Sequence, residues 1–274
     1  MQYENYSVLM SVYYKGNPKY LDESIQSMLN QTIPTNDFVI VCDGPLTLEL
    51  DETLEKYKKA KPDVFNIIRL EKNVGIGAAV NEGLKYCKNE LIAKMDADDI
   101  AMPYRCELQQ KRFNADERLT VLGGYMEEFD EDFEHPYAMR KVPLKYEDIY
   151  NFAKRRQPFN NITVMLKKTA IVDVGGYSKM NRCEDYDLYV RLLSKGYYCE
   201  NVESVLCRAR VERNALSRRS SAETLKYFIK SRWNVYRIRY STLFDFVIAC
   251  TAQIVIFLCP NKIQKILYEK FLRN

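Results

Sequence analysis

The sequence predicts an α/β fold built on a three-layer, mostly parallel sheet. Apolar, β-rich segments alternate four times with helix-like segments within the first 115 residues. The β-rich segments are nearly continuous apolar runs, which is typical of parallel strands covered by helices on both faces. The chain of 274 residues is 47% hydrophobic, so it is long enough to bury one large core. These observations predict a single large α/β domain with room for an appendage.

The predicted elements follow one another along the chain. Four strand–helix pairs come first: strand 7–14 with helix 18–31, strand 37–44 with helix 48–60, strand 64–70 with helix 75–88, and strand 90–96 with helix 103–114. Pro18 suits the first turn of its helix, where no amide partner is needed. Beyond residue 119 the alternation loosens, and the predicted elements are strands 119–129 and 162–168 and helix 184–196.

The charge of the chain is unevenly distributed. Residues 205–274 carry 14 Lys and Arg against 4 Asp and Glu, a net charge of +10, so the overall +4 leaves −6 on residues 1–204. We therefore predict a main domain at 1–204 and a basic, partly apolar helical tail at 205–274. A basic tail of this kind is typical of a protein that meets an anionic surface, either a membrane or a nucleic acid.

The tail also bears on location. Residues 243–259 are strongly apolar but short for a membrane-spanning helix, and they include Asp245 and Gln253. We expect residues 224–274 to lie on the inner face of the plasma membrane, with the cations facing anionic lipid. A true span and a cap folded against the body are the alternatives. The absence of a signal-like N-terminus and of C-x-x-C pairs among the eight cysteines predicts a cytoplasmic protein.

Polar side chains follow three of the predicted strands. Asp43 ends the second strand, Asn73 follows the third, and Asp96, Asp98 and Asp99 follow the fourth. In parallel sheets, ligands bind at the carboxyl ends of the strands. Carboxylates this close together repel, and Mg²⁺ or Mn²⁺ held with substrate phosphates would neutralise them. A solvated turn that caps the next helix is the alternative interpretation.

Six segments of the chain appear in the order of a known family. They are the first strand and helix at 7–32, "VIVCDGP" at 39–45, "NVGIGAAVNEG" at 73–83, "MDADD" at 95–99, "GGY" at 175–177 and "CEDYDLYVRL" at 183–192. Over residues 5–210 the chain resembles the family 2 glycosyltransferases of the Rossmann-like GT-A fold, bacterial inverting enzymes that build polysaccharides. With the tail, it looks most like the transferases of capsule and exopolysaccharide clusters.

The resemblance implies a nucleotide-sugar site, most simply for a UDP-sugar. Asp43 would hydrogen-bond the uracil, and Asp96 would approach the ribose or the uracil. Asn73 and Gly75 would begin the loop and helix beside the nucleotide, and Asp99 would face the donor sugar or the metal. From the residues alone, Asp43 with Gly44 could be only a turn, and the glycines could serve only close packing.

The resemblance also implies a divalent metal, Mg²⁺ or Mn²⁺, ligated by Asp98 and Asp96. The chain departs from the family pattern at two places where members carry a histidine. The first has Asn161, and the second offers Arg210, Glu212 and Arg213 instead. A third protein ligand is therefore in doubt. Water could replace it.

Two further arginines could share the charge of the diphosphate. Arg218 and Arg219 lie in the basic tail, a few residues after Arg213, and arginine binds phosphate through two parallel hydrogen bonds. A solvated basic loop is the alternative interpretation of this run.

The segment "EDYDL" would supply the catalytic base. A single displacement with inversion needs one carboxylate to take the proton of the attacking hydroxyl. We assign this role to Asp185, with Glu184 as second choice. Acidic residues in the first turn of a helix also favour its dipole, so a purely structural role is the alternative.

These inferences predict an inverting glycosyltransferase that moves a sugar from a nucleotide-sugar donor to a glycan or lipid-linked acceptor in cell-surface polysaccharide synthesis. A sugar-phosphate nucleotidylyltransferase is one alternative, but it needs a Gly-rich loop after the first strand, where "YYKGNPKY" has a single glycine. A basic-tailed nucleic-acid-binding protein is another, but the acidic body does not suit it. We expect no nucleic-acid partner.

Overall fold

The computed structural model describes residues 4–180, 182–211 and 221–259. The strands in these ranges are β1 (Tyr6–Val12), β2 (Asp37–Cys42), β3 (Phe65–Arg69), β4 (Leu91–Asp96), β5 (Ile100–Ala101), β6 (Leu119–Phe129), β7 (Ala138–Arg140), β8 (Met165–Lys167) and β9 (Tyr198–Arg210). The helices are α1 (Pro18–Leu29), α2 (Leu48–Ala60), α3 (Ile76–Tyr86), α4 (Arg105–Ala115), α5 (Tyr146–Ala153), α6 (Lys168–Asp173), α7 (Glu184–Ser194), α8 (Ala222–Arg237) and α9 (Leu243–Leu258).

The described strands form one sheet in the order β3-β2-β1-β4-β8-β6-β9-β5, with β7 paired to β6. The first four strands are all parallel, as the alternating pattern predicts. The second half is mixed, because β8 runs antiparallel to both β4 and β6 while β9 runs parallel to β6. The predicted strand at 162–168 is partly wrong, since its first residues form a 3₁₀ turn and only Met165–Lys167 are extended.

Helices cover both faces of the parallel half. On one face α1 and α2 bury Leu21 and Leu50 against Met10 of β1. On the other face α3 buries Val80 against Val41 of β2. Each such apolar side chain stabilises the fold by about 1.5–3 kcal/mol. This burial on two sides explains the continuous apolar strands, and it fixes the carboxyl ends of β1 to β4 at one edge.

One buried arginine joins the two halves of the sheet. Arg105 of α4 is fully buried, and its guanidinium donates to the carbonyl oxygens of Lys94 (2.8 Å) and Val164 (3.1 Å). Gln109, one turn later, donates to the carbonyls of Leu122 and Thr163. These bonds add buried side-chain donors to carbonyl groups where the pairing changes from parallel to antiparallel. They hold the end of β4 in place just before Asp96.

The described part of the C-terminal tail, residues 205–211 and 221–259, contains two helices that pack on the main domain. Tyr240 donates to the carbonyl of Tyr150 (2.8 Å), and Arg155 pairs with the buried Asp245 (2.6 Å). Asp245 also closes a capping box with Thr242 at the start of α9. The helical tail that the sequence predicts is thus anchored at two points, one on α5 and one just after it.

Two further predictions about the tail, its boundary and its membrane segment, can be compared with the structure. The boundary predicted at 204/205 lies inside β9, so the main sheet continues to residue 210. Among the described residues, no helix combines the length and the apolarity that crossing a membrane requires. Residues 261–274, the last part of the predicted membrane-facing segment, lie outside the described ranges.

Candidate active site

The loop after β3 is tied to the end of β2 by one carboxylate. Asp43 is buried, and it accepts hydrogen bonds from the backbone amides of Val74 (2.7 Å) and Gly75 (3.1 Å). Asn73 donates back to the carbonyl of Asp43 (3.2 Å). Gly44 has φ +88°, and a Cβ there would lie 2.7 Å from the amide nitrogen of Asn73. Asp43, Asn73 and Gly75 therefore come together as the sequence predicts, and the carboxylate of Asp43 also shapes the loop.

The three carboxylates after β4 occupy different environments. Asp96 pairs with Lys94, whose side chain is buried. Asp99 is buried and accepts from the backbone amide of Arg210 (2.8 Å), which ties the β4–β5 loop to the end of β9. Asp98 is exposed. Desolvation and the charge of Asp96 nevertheless raise the pKa of Asp98 to about 6. Burial and the charges of Asp98 and Asp96 raise the pKa of Asp99 well above its ordinary value.

Two cations of the chain itself reduce the repulsion in this cluster. Lys94 bonds one oxygen of Asp96, and the guanidinium of Arg210 donates to the backbone carbonyl of Asp98 (3.2 Å). Arg210 also pairs with Glu23 (2.6 Å) and stacks on Tyr20, at 3.8 Å from the ring centre. Both cations lower the pKa of Asp98, yet it stays raised. A site with this balance still favours a bound cation.

The predicted catalytic carboxylates begin α7. Asp185 accepts from the side-chain nitrogen of Gln157 (2.7 Å) and from the backbone amide of Tyr186 (2.7 Å). Burial raises the pKa of Asp185, and burial together with the charge of Asp185 raises the pKa of Glu184 to about 7. The helix starts after Cys183, whose φ of +63° is uncommon for a side chain with Cβ. Backbone strain of this kind concentrates at functional sites.

Helix α3 and the start of α7 are held together by close contacts. A Cβ on Gly77 would lie 2.5 Å from the carbonyl oxygen of Ser178 and 3.4 Å from Cβ of Glu184, so only glycine fits. Asn81 of α3 bonds both the amide and the carbonyl of Tyr177, each at 2.8 Å. Asn81 thus fixes the "GGY" turn in front of α7.

The α7 side fixes the same turn. Arg191 donates to the carbonyls of Val174 and Gly176 and pairs with Asp187 (2.8 Å). Gly176 has φ +74°, and a Cβ there would lie 2.5 Å from Oδ1 of Asn81. The "GGY" and "EDYDLYVRL" segments are therefore one structural unit, clamped between α3 and α7.

Both groups of carboxylates share one cleft. The charge of Asp96 contributes to the raised pKa values of Glu184, Asp185 and the buried Tyr177. Repulsion of this kind acts between groups that lie near one another, and Glu184 lies against Gly77 of α3, the helix that follows the loop tied to Asp43. The residues that the sequence assigns to nucleotide, metal and base therefore lie on neighbouring elements.

The carboxylates after β4 suit a divalent cation that also binds the phosphates of a substrate. Among the described residues, no three His, Cys, Asp or Glu side chains converge as a complete metal site. Mg²⁺ usually takes only one or two protein carboxylates, and Asp98 and Asp96 supply that number. Asn161 accepts from the hydroxyl of Tyr189 (2.7 Å) and so supports α7. Glu212, Arg213, Arg218 and Arg219 lie outside the described ranges.

Three residues of the site were not anticipated from the sequence. Lys94 is the partner of Asp96, Asn81 holds the "GGY" turn, and Gln157 bonds Asp185. A lysine inside the apolar run "LIAKMD" was a usable signal, because a buried lysine needs a partner of opposite charge. Asn81 and Gln157 lack such a signal, since each bonds a residue far away in the chain.

Comparison with known proteins agrees with this geometry. Residues 7–180 match the family model of glycosyl transferase family 2. The chain is 33% identical over 273 residues to the UDP-Gal:alpha-D-GlcNAc-diphosphoundecaprenol beta-1,3-galactosyltransferase of Escherichia coli, covering 98% of this chain and 97% of that protein. It is 32% identical over 274 residues to the amylovoran biosynthesis glycosyltransferase AmsE of Erwinia amylovora, covering 97% and 98%.

Two solved structures share the fold. The mannosyltransferase PcManGT of Pyrobaculum calidifontis, in complex with GDP-Man and Mn²⁺, superposes with a TM-score of 0.64 at 16% identity over 85% of this chain and 64% of that chain. TarS 1-349 of S. aureus, in complex with UDP-GlcNAc, gives 0.62 at 18% identity over 83% and 65%. Both likenesses confirm the predicted GT-A architecture. The chain belongs to glycosyl transferase family 2, so it is a glycosyltransferase, and neither the nucleotidylyltransferase nor the nucleic-acid-binding alternative is retained.

Proposed function

We propose that this enzyme transfers a sugar from a UDP-sugar, with inversion, to a hydroxyl of a glycan or lipid-linked acceptor in cell-surface polysaccharide synthesis. The observation that carries the proposal is the closeness of the two carboxylate groups: the start of α3 lies against Glu184, and the charge of Asp96 raises the pKa of both Glu184 and Asp185. The relatives named above support the donor and acceptor classes, since one uses UDP-Gal and a diphosphoundecaprenol-linked sugar.

Asp185 is the proposed base. It takes the proton as the acceptor oxygen attacks the anomeric carbon, while the bond from that carbon to the diphosphate breaks and its electrons leave with UDP. Its raised pKa makes it a stronger base than a solvated carboxylate. Gln157 and the amide of Tyr186 hold the carboxylate in one orientation.

Asp98 and Asp96 are the proposed ligands of Mg²⁺ or Mn²⁺, which when bound supplies positive charge that stabilises the departing diphosphate. Asp43, Asn73 and Gly75 form the proposed nucleotide loop. We extend the proposal to Asp99, which fixes the loop that carries Asp98 through its bond to Arg210. Arg218 and Arg219 are proposed to approach the diphosphate.

We also propose that the enzyme works at the inner face of the plasma membrane through its tail. In the described part of the tail, large apolar side chains of α9 are exposed, among them Leu243 at 56%, Phe244 at 67% and Leu258 at 73%. Exposed apolar side chains on a basic segment suit the interface of an anionic membrane.

Calorimetric binding of UDP tests the donor half directly. We expect UDP to bind the full chain only with Mn²⁺, and Asp98→Ala to abolish that binding. The matched control is Asp116→Ala, which removes a surface carboxylate that pairs with Arg118 away from the cleft. Failure of the wild type to bind UDP, GDP or dTDP in the presence of Mn²⁺ contradicts the proposal.

A further inference from the structure

A large cavity opens beside the proposed base. It has a volume of about 980 Å³, and Asp185 and Gln157 form part of its wall. The rest of the wall comes from the segment between β7 and α5, from the end of α5, and from α8 and α9. A cavity of this size can take a large organic ligand.

We propose that this cavity binds the acceptor as a sugar joined through phosphate to a lipid chain, with Arg140 and Arg156 on the phosphate and α9 along the lipid. The inference rests on the proposed function, because it names the acceptor of the same reaction. It assigns the acceptor-binding residues to parts of the chain outside the strand-end motifs.

The charge of the cavity favours an anion. Its cations are Arg140, Lys141, Arg155, Arg156 and Arg232, and its carboxylate is Asp185. Two of these cations hold the wall together. Arg155 pairs with Asp245 (2.6 Å), while Arg232 is buried, stacks on Tyr186 at 3.5 Å from the ring centre and donates to the carbonyl of Arg155 (3.2 Å).

Arg140 and Arg156 are placed differently. Both line the cavity together with Asp185. Desolvation and the neighbouring charge of Arg140 lower the pKa of Arg156, and Arg140 also lowers the pKa of Asp185. Two like charges in one cavity are stabilised by an anion that bonds both, and the arginine fork suits phosphate oxygens.

Part of the wall is apolar. Phe152 and Phe228 contribute rings beside Arg156 and Arg232, and Ile248, Val255 and Ile256 of α9 contribute aliphatic side chains. Ile248 is 37% and Val255 51% exposed, so the apolar wall continues into the exposed apolar surface of α9. A lipid chain that starts in the cavity can leave it along this helix without crossing a polar surface.

The end of the cavity near the base suits a sugar hydroxyl. The side-chain nitrogen of Gln157 donates to Asp185, while its oxygen is buried and has no hydrogen-bond partner among the described residues. A buried acceptor without a partner costs free energy that a ligand hydroxyl would recover. The cavity thus combines a base, cations and an apolar surface, the three features that a sugar, a phosphate and a lipid chain need.

Binding of farnesyl diphosphate to the full chain, measured by calorimetry, tests the inference. We expect the wild type to bind it, and the double variant Arg140→Gln/Arg156→Gln to bind about tenfold or more weakly. Ala252→Trp places a large side chain in the cavity from an exposed position of α9. This variant should bind farnesyl diphosphate more weakly than the wild type but inorganic diphosphate equally well. Arg118→Gln, which removes an arginine far from the cavity, is the matched control and should bind as the wild type does.

The inference is overturned if the wild type does not bind farnesyl diphosphate or if the double variant binds it normally. Equal affinity for inorganic diphosphate and farnesyl diphosphate, or displacement of the latter by UDP, also overturns it, because the cations would then hold a free anion or the donor. UDP binding with Mn²⁺ is measured on the same samples. Loss of UDP binding alone contradicts the proposed donor site, and loss of farnesyl diphosphate binding alone contradicts the acceptor cavity.

Discussion

The two sides of the cleft are built in contrasting ways. The strand-end side consists of carboxylates and tight backbone turns on the parallel half of the sheet, as at Asp43 and Asp96. The α7 side adds a cavity whose wall is formed by arginines and apolar side chains from several distant segments. The first side suits a metal–diphosphate group, and the second suits an anionic, amphiphilic partner. The proposed donor and the proposed acceptor, both phosphorylated, would therefore occupy different sides of the cleft.

The contrast also concerns how charge is handled. On the strand-end side the chain brings like charges together and neutralises them incompletely, with Lys94 and Arg210. On the α7 side it brings Arg140 and Arg156 into the wall of one cavity. The strand-end side is thus dominated by carboxylates and the cavity by cations, a difference that lets a protein discriminate between a cationic and an anionic ligand.

The largest expected effect is on kcat, when the proposed base on the α7 side is removed. Asp185→Asn should lower kcat by about 10²- to 10⁴-fold, because the attacking hydroxyl loses its proton acceptor. The affinity for UDP with Mn²⁺ should stay at the wild-type value, since the proposed donor contacts lie on the strand-end side. Steady-state kinetics and calorimetry on one preparation measure both. A kcat within tenfold of the wild type would remove Asp185 from the mechanism.

The next effect tests the internal cation of the strand-end side. Lys94→Met should lower the free energy of unfolding by about 2–4 kcal/mol, because it leaves Asp96 beside Asp98 and Asp99 without its partner. Urea denaturation measures the loss. Adding Asp96→Asn to this variant should recover part of it, as a double-mutant cycle requires for a direct pair. A fully additive double variant would mean that Lys94 contributes through packing alone.

A smaller effect reports on the α7 side. Glu184 has a pKa of about 7 in the folded state, above its ordinary value of 4.5. The folded state therefore binds more protons between these pH values, so the stability of the wild type falls as pH rises from about 4.5 to 7. Glu184→Gln removes this loss and should be more stable than the wild type by about 1–3 kcal/mol above pH 7.

The measurement for Glu184 is urea denaturation at pH 5 and pH 8. The advantage of Glu184→Gln should be small at pH 5 and should grow at pH 8. Glu147→Gln, in the first turn of α5, is the matched control and should show no such growth. An advantage that is independent of pH would mean that the substitution acts through packing rather than through charge.

The strand-end side could be predicted from the sequence because its signals are local. Asp43, Asp96 and Asp98 each follow an apolar run, and parallel pairing brings the ends of those runs to one edge whatever the details of packing. The four helices and strands of this half match their predicted positions within a few residues.

The α7 side could not be predicted in the same way. Its cavity joins segments near residues 140, 156, 228 and 252, and nothing in the sequence of each segment specifies which others it meets. Strand β9 was missed for a related reason. Its pairing with β6 shifts register between Gly124 and Met126, and these irregularities interrupt the alternation by which a strand is recognised.

The smallest effect tests whether the cavity and the base are electrostatically linked. Arg140 lowers the pKa of Asp185, so Arg140→Gln should raise it. The base acts in its ionised form, so kcat falls at low pH as the base is protonated. In Arg140→Gln this acidic limb of the pH profile of kcat should move to higher pH, by up to about one unit. The pH dependence of kcat at saturating acceptor separates this shift from any loss of affinity. Arg118→Gln should leave the limb in place. If Arg140→Gln also leaves the limb in place, the charge of Arg140 does not affect the pKa of the base. The acceptor phosphate must then be held farther from the reacting hydroxyl than the cavity implies.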